Sequence, residues 1–343
     1  MSKQLNNLIG AALISGVCAF GLSISVSAGV ADFYKGNTVK IYVGAGAGGG
    51  YGFFGRAFGK FYGQYIPGKP NVIVINKPGA GGTKMTNWAY NVAPKDGSIV
   101  GMPLMTVATN QHLRAKKIKY DATKLNWIGN MERSIAVLFT WHTSKTKSIE
   151  DARKRVTTMG GSGKSSPIYQ NIILANRLLG TKFKVVLGYK GADRALAIEK
   201  GEVEGSFSTL QNFRAMTPHW FKDGKNPLNI MVQNANERTK ELPNVPTTIE
   251  LAKNDADKEV FRYMMLQSLT GRSVFAPPGV PAKRVDALRR AFDKTMKDKG
   301  FVAMIARANL KLTTNTGEEV TKAVSKLVST PPTVVKRIKK LIK

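Results

Sequence analysis

Short apolar runs rich in β-branched residues alternate with longer stretches of helical period along most of the chain. Residues 38–43 read as a strand, followed by a glycine-rich turn and a helix predicted over 53–65 that stops at Pro67-Gly68. The scheme recurs with a strand over 72–76, the turn Pro78-Gly79-Ala80-Gly81-Gly82, a helix from Thr83 to Val92 and a third strand over 99–105. A second series comes later in the chain. It comprises a strand over 156–159, the loop Gly160 to Ser166, a helix over 167–179 that Gly180 closes, a strand over 183–188, a helix over 192–200 and a strand over 203–207. Ser166 stands where an N-cap belongs and Pro167 where the first helical residue belongs. Val285, Leu288, Phe292 and Met296 form one apolar stripe on a last long helix over 281–297. This alternation is the α/β pattern, with parallel strands and turns at their carboxyl ends. No linker of low complexity separates the two series, so the chain is expected to cross between two lobes on ordered strands near 136–141 and 264–275.

The amino terminus changes the picture of where the chain works. Lys3, an apolar run over 8–24 and the small residues Val26-Ser27-Ala28 read as an export signal cleaved after Ala28. The only cysteine, Cys18, lies inside it, so disulfides and cysteine-based metal sites are excluded from the rest of the chain. No later run approaches the about 20 apolar residues of a membrane helix. The 343 residues, 43% hydrophobic, are enough for a sizeable core in two domains. Lys and Arg exceed Asp and Glu by 52 − 22 = +30, or +29 without Lys3, a field that favours anionic partners.

The remaining chemistry is sparse. His112, His142 and His219 are scattered, and neither a Gly-x-Ser-x-Gly elbow nor a His-x-x-x-His pair is present, so neither metal nor catalysis is expected. Glu199, Glu202 and Glu204 read as solvated carboxylates. Basic residues cluster over 114–124 and 336–343; in the second cluster they alternate with Val335, Ile338, Leu341 and Ile342. That suits a surface helix with cations near its carboxyl end, and it also suits contact with an anionic membrane or an acidic partner. Apart from Tyr120, aromatic residues do not interleave with these clusters as a stacking platform needs, which argues against nucleic acid.

The turns carry the interest. The run Gly44 to Gly50 follows a strand and opens a helix, so unpaired N–H groups and the positive helix end can face an anion. Gly79 to Thr83 repeats this one strand later. Two such turns side by side form an anion cradle at the strand ends, where open α/β sheets bind ligands; the alternative is that the glycines only serve tight turns. Gly44, Gly46 and Gly49 also match the dinucleotide fingerprint of a Rossmann-type oxidoreductase. That reading needs an acid at the end of the next strand, which here ends Ile75-Asn76-Lys77. Gly163-Lys164-Ser165 resembles the end of a phosphate loop, but Thr158 stands where its earlier glycine is required.

Several motifs, in order, resemble a known family. Ala47-Gly48-Gly49-Gly50 with Arg56 behind it, Ile75 to Gly82, Ala93-Pro94-Lys95-Asp96-Gly97, Trp127-Ile128-Gly129, Gly201 to Gly205, Leu242 to Thr247 and Ala276 to Pro281 are similar to the substrate-binding proteins of tripartite tricarboxylate transporters, the Bug/TctC family. The resemblance implies an α/β, two-lobed, periplasmic-binding-protein-like fold of type II with two hinge strands. Lobe 1 would comprise 29–137 and, after the hinge return, 264–343; lobe 2 would comprise 138–263. It implies a small carboxylate captured by hinge closure, no bond made or broken, no cofactor, and delivery to integral-membrane transporter subunits.

Carried over position by position, the ligand is held by Ala47, Gly48, Gly49, Gly50 and Tyr51 of the first turn and by Gly79, Ala80, Gly81, Gly82 and Thr83 of the second. Gly161, Ser162, Gly163 and Ser165 of the second-lobe loop complete the set. Thr106, Thr109 and Ser208 are lesser candidates, each placed just after a predicted strand. The sequence departs from the family at the first turn, where Ala47 replaces a usual proline and Gly52 a usual aspartate. Tyr51 can donate its hydroxyl to the ligand or simply pack.

Overall fold

The computed structural model describes residues 29–343 apart from Ser134, Ser165 and Lys190, and excludes the side chain of Leu269. The export signal, its cleavage after Ala28, and Cys18 lie outside the described residues, as does Ser165 of the predicted site. Eleven strands are described: Thr38–Val43 (β1), Asn71–Asn76 (β2), Ile99–Met102 (β3), Asn126–Asn130 (β4), Ala136–Trp141 (β5), Thr157–Gly161 (β6), Phe183–Leu187 (β7), Gly205–Thr209 (β8), Leu228–Gln233 (β9), Ser273–Ala276 (β10) and Asn315–Thr316 (β11). They form two sheets, ordered β11-β4-β10-β3-β1-β2 and β7-β6-β8-β5-β9. The α/β, two-lobed expectation thus takes the form of two mixed sheets.

The chain leaves the first sheet at Asn130 and joins the second at Ala136; it returns from Gln233 to Ser273 through the helix Asp255–Met265. Within each sheet the strand–helix–strand units are parallel, β1 with β2 and β3, β6 with β7 and β8. The strands that arrive from the other sheet break that rule. β5 runs antiparallel to β8 and β9, and β10 runs antiparallel to β3 and β4. A parallel neighbour needs a crossover helix over the sheet face, whereas a strand entering from another lobe arrives without one and is free to run the other way.

Element boundaries differ from expectation where local chemistry decides. The first of the expected helices is Gly50–Tyr62, starting inside the glycine run and continuing as a 3₁₀ turn to Tyr65; a short helix over 29–34 precedes β1. Strand β3 stops at Met102 because Pro103 lacks the amide that the ladder needs. Strand β8 ends at Thr209, so Ser208 lies inside it rather than after it. Ser166 accepts a bond from the Tyr169 amide as the expected cap, and Pro167 opens the helix. Three further helices, Lys299–Arg307, Gly317–Val328 and Pro332–Leu341, follow Ala282–Met296, and the last realises the basic surface helix with Val335 and Ile338 buried.

One apolar core lies between the first sheet and two helices. Phe54, Phe58 and Tyr62 of Gly50–Tyr62 pack with Leu288 and Phe292 of Ala282–Met296, all essentially unexposed. Each such side chain contributes about 1.5–3 kcal/mol by burial. Tyr62 also donates to the Leu288 carbonyl at 2.9 Å, tying the helices together. A second core is continuous from Trp127 and Phe275 of the first sheet to Leu138, Met159 and Phe207 of the second.

Candidate functional site

The parallel pairing of β1 with β2 brings the two glycine-rich turns together at the carboxyl ends of these strands. Side-chain and backbone bonds lock them in register. Asn76 Nδ2 donates to the Ala45 carbonyl at 2.8 Å, and the Lys77 amide donates to the Val43 carbonyl at 2.8 Å. Asn76 is therefore a brace for the first turn, in the place where a dinucleotide site would keep a ribose-binding acid.

The first turn folds back over the helix it opens. A side chain at Gly52 would start 2.1 Å from the Ala47 carbonyl oxygen, so the family's usual aspartate is incompatible with this turn. Arg56, one turn on, donates to that same oxygen at 2.9 Å. The helix Gly50–Tyr62 has neither a side-chain cap nor an acidic residue in its first turn. Ala47 and Gly48 form a tight turn closed by the Gly49 amide; among the described residues the amides of Gly46 to Gly48 and Gly50 to Gly52 have no hydrogen-bond partner, and the run sits at the positive helix end.

The second turn is built from an unusual backbone. Gly79, Ala80, Gly81 and Gly82 have φ of 136°, 48°, 64° and 84° in succession, a run that L side chains strongly resist. The amides of Gly82 and Thr83 bond the carbonyls of Gly79 and Ala80, and the Thr83 hydroxyl also donates to Ala80 at 2.7 Å. Thr83 is thus engaged within its own turn. Gly79 and Ala80 are exposed.

The other predicted side chains divide. Thr106 and Thr109 are fully buried; Thr106 Oγ1 accepts from Asn110, while Thr109 Oγ1 donates to the Thr106 carbonyl and accepts from Gln267. They brace the segment after β3 rather than open onto a cleft. Tyr51 Oη donates to the Gly271 carbonyl at 2.6 Å and accepts from the Met105 amide at 2.9 Å, which favours packing over ligand contact. Burial pushes that hydroxyl above its usual pKa, opposed by the Arg272 guanidinium. In the second-lobe loop, Gly161 is buried with its carbonyl taken by the Tyr189 amide, while Ser162 and Gly163 are partly exposed. Glu204 is no lone solvated carboxylate, since it accepts from Arg155 and Ser144 at 2.7 Å each.

Facing the first turn are residues that sequence reasoning missed. A side chain at Gly50 would start 2.6 Å from Asn212 Oδ1 and 2.9 Å from Arg272 Nη2. Asn212 belongs to the helix Leu210–Met216 after β8 and donates to Ser208 Oγ at 3.2 Å, which places Ser208 near this contact. Gly191, which precedes the helix Ala192–Glu199, also approaches Gly49, a Cβ on it lying 3.8 Å from the Gly49 nitrogen. Arg272 stacks 3.9 Å over the Tyr51 ring, and its Nε lies 3.4 Å from Glu132 Oε2, both side chains nearly unexposed. The loop before Gly191 has the same strand–glycine–helix form as the first turn, so it was legible. Nothing in the sequence marks Arg272 or Asn212.

A family model described as the tripartite tricarboxylate transporter family receptor matches residues 66–341. The chain belongs to that family. The TctC receptor match begins at Ile66, so it includes the second turn and leaves out the first, where the sequence departs from pattern. A protein of Cupriavidus necator, named as the UPF0065 protein in the gbd 5′ region, is 24% identical over 308 residues, covering 88% of this chain and 87% of its own length. The periplasmic binding protein BugD has a similar structure, with a TM-score of 0.69 at 18% identity over 90% of this chain and 98% of that one. MatC from Rhodopseudomonas palustris, with bound malate, has a TM-score of 0.67 at 18% identity over 90% and 99%. This TctC chain therefore shares their fold. Among its described residues no helix is long and apolar enough to cross a membrane, and no group of metal-ligating side chains occurs.

Proposed function

We propose that this TctC receptor captures a small carboxylate between lobes 29–137 with 264–343 and 138–263, and delivers it to integral-membrane transporter subunits. The carrying observation is the pair of adjoined turns on β1 and β2, the first of which presents free amides at an uncapped helix end facing Gly191 and Asn212 from the other sheet's half. Amides aimed at a carboxylate form charge-assisted bonds, about twice as strong as neutral ones. The ligand selects the closed form because only there do both lobes touch it. The backbone of Ala47 to Tyr51 and Gly79 to Thr83 holds the carboxylate in this reading, with Ser162, Gly163 and Ser208 approaching from the second lobe. Malate in MatC supports the ligand class. The protein acts in the periplasm as a receptor after cleavage at Ala28, and it takes no cofactor. The dinucleotide alternative loses support because Asn76 is committed to Ala45.

Thermal unfolding against a panel of mono- and dicarboxylates, beginning with malate, tests the reading. A true ligand at one hundred times its Kd stabilises by about 2.7 kcal/mol, and dinucleotides give nothing. Gly81→Val, which puts a branched side chain at φ 64°, should abolish that gain while the protein still folds. A response to dinucleotides alone would sink the proposal.

A further inference from the structure

A groove of about 860 Å³ runs between the helix Pro332–Leu341, the end of the helix Val107–Leu113 and the start of the helix Pro167–Leu174. Lys336, Lys339, Lys340 and Lys343 recur at helical spacing and line one side. Arg114 joins them from the first sheet's half and Lys164 from the second's. None of these six cations has an ion-pair partner among the described residues, and no Asp or Glu among those residues lines the groove. Arg337 also lines the groove but is already held by Asp257, which leaves the six unpaired. Gln170 lines the same groove at 1% exposure, and its Oε1 has no hydrogen-bond partner among the described residues.

These two features together need explaining. Six like charges around one concavity repel each other within the Debye length of about 8 Å, and a helix serving only solubility would interleave acids. A buried acceptor without a donor is unfavourable unless something supplies the donor. A carboxylate or a sulfate, fully ionised near neutral pH, offers acceptors only. A phosphate monoester offers both, because its second proton leaves near pH of about 6. We propose that this groove binds a phosphate-bearing polyanion, its oxygens facing the six cations and a remaining P–O–H donating to Gln170 Oε1. The volume falls in the range of ordinary ligand sites, about 300–1,000 Å³, and exceeds a single phosphate. The groove shares no residue with the two glycine turns, so it does not rest on the carboxylate reading. Because both halves of the molecule line it, a bound polyanion would also hold them together.

Calorimetric titration with sodium tripolyphosphate at pH 6 and physiological salt tests this, with sulfate as the proton-free comparison and vesicles containing phosphatidic acid as the lipid-borne form. The full chain should bind tripolyphosphate at one site, and Lys336→Glu with Lys340→Glu should weaken it at least tenfold. Lys116→Glu with Lys119→Glu makes the same charge change outside the groove and should alter affinity less than twofold. Gln170→Leu keeps every charge and removes the orphaned oxygen, so the protein should fold normally, bind tripolyphosphate several-fold more weakly and bind sulfate unchanged. Binding to the vesicles that the groove variant loses, without tripolyphosphate binding, identifies a lipid headgroup as the source of the same chemistry. Equal weakening by both charge variants, or no binding of either probe, overturns the proposal.

Discussion

Gly52→Ala probes the first turn with a single methyl group. Its Cβ would lie 2.1, 2.6 and 2.8 Å from the carbonyl oxygen, carbonyl carbon and Cα of Ala47, all backbone atoms that cannot rotate away. The turn must withdraw by about 1 Å to restore normal contact. The Arg56 bond to Ala47 is then lost; at an exposed arginine this costs about 1 kcal/mol. Replacing a helical glycine by alanine returns about as much through propensity. The unliganded protein should therefore melt within a few degrees of the wild type. Binding responds differently, because amides displaced by about 1 Å leave hydrogen-bond range. Two such bonds to a charged group are worth about 3 kcal/mol at least, or roughly a hundredfold in Kd. Thermal melts and calorimetric titration with the carboxylate found in the screen measure both quantities. If Gly52→Ala binds within about threefold of wild type, the turn is not part of the site or does not have this shape.

Other substitutions separate packing from binding. Tyr51→Phe removes bonds to Gly271 and Met105 and should destabilise by about 1–3 kcal/mol with ligand affinity unchanged; lost affinity at constant stability would assign the hydroxyl to the ligand. Arg272→Met leaves the buried Glu132 carboxylate without its facing guanidinium, and a loss of about 3–5 kcal/mol in denaturant unfolding is expected. Burial alone would raise the Glu204 pKa, but bonds from Arg155, Ser144 and the Thr158 amide outweigh it and lower the value below 4.5. Its stabilisation is thus complete above about 4.5 and disappears as pH falls through the lower folded value. Glu204→Gln should flatten the acid side of the stability curve below that point, and an unchanged slope would refute the pairing.

The sequence alone carries the local chemistry. Strand β1, the glycine run and the helix behind it follow from period and composition, and Ser166-Pro167 marked a helix start to the residue. These signals act within a few residues, where backbone sterics and capping decide. It also placed the two turns side by side, since consecutive parallel strands tend to be neighbours. Tertiary structure decided what each side chain then touches. Thr106, Thr109 and Tyr51 looked available, yet partners as distant in sequence as Gln267 and Gly271 engage them. Arg272 and Asn212 came to the first turn only because the chain crosses between sheets and returns. The antiparallel course of β5 and β10 has the same origin, because a strand's direction on entering a sheet depends on the path that brought it there and leaves no mark on its own alternation.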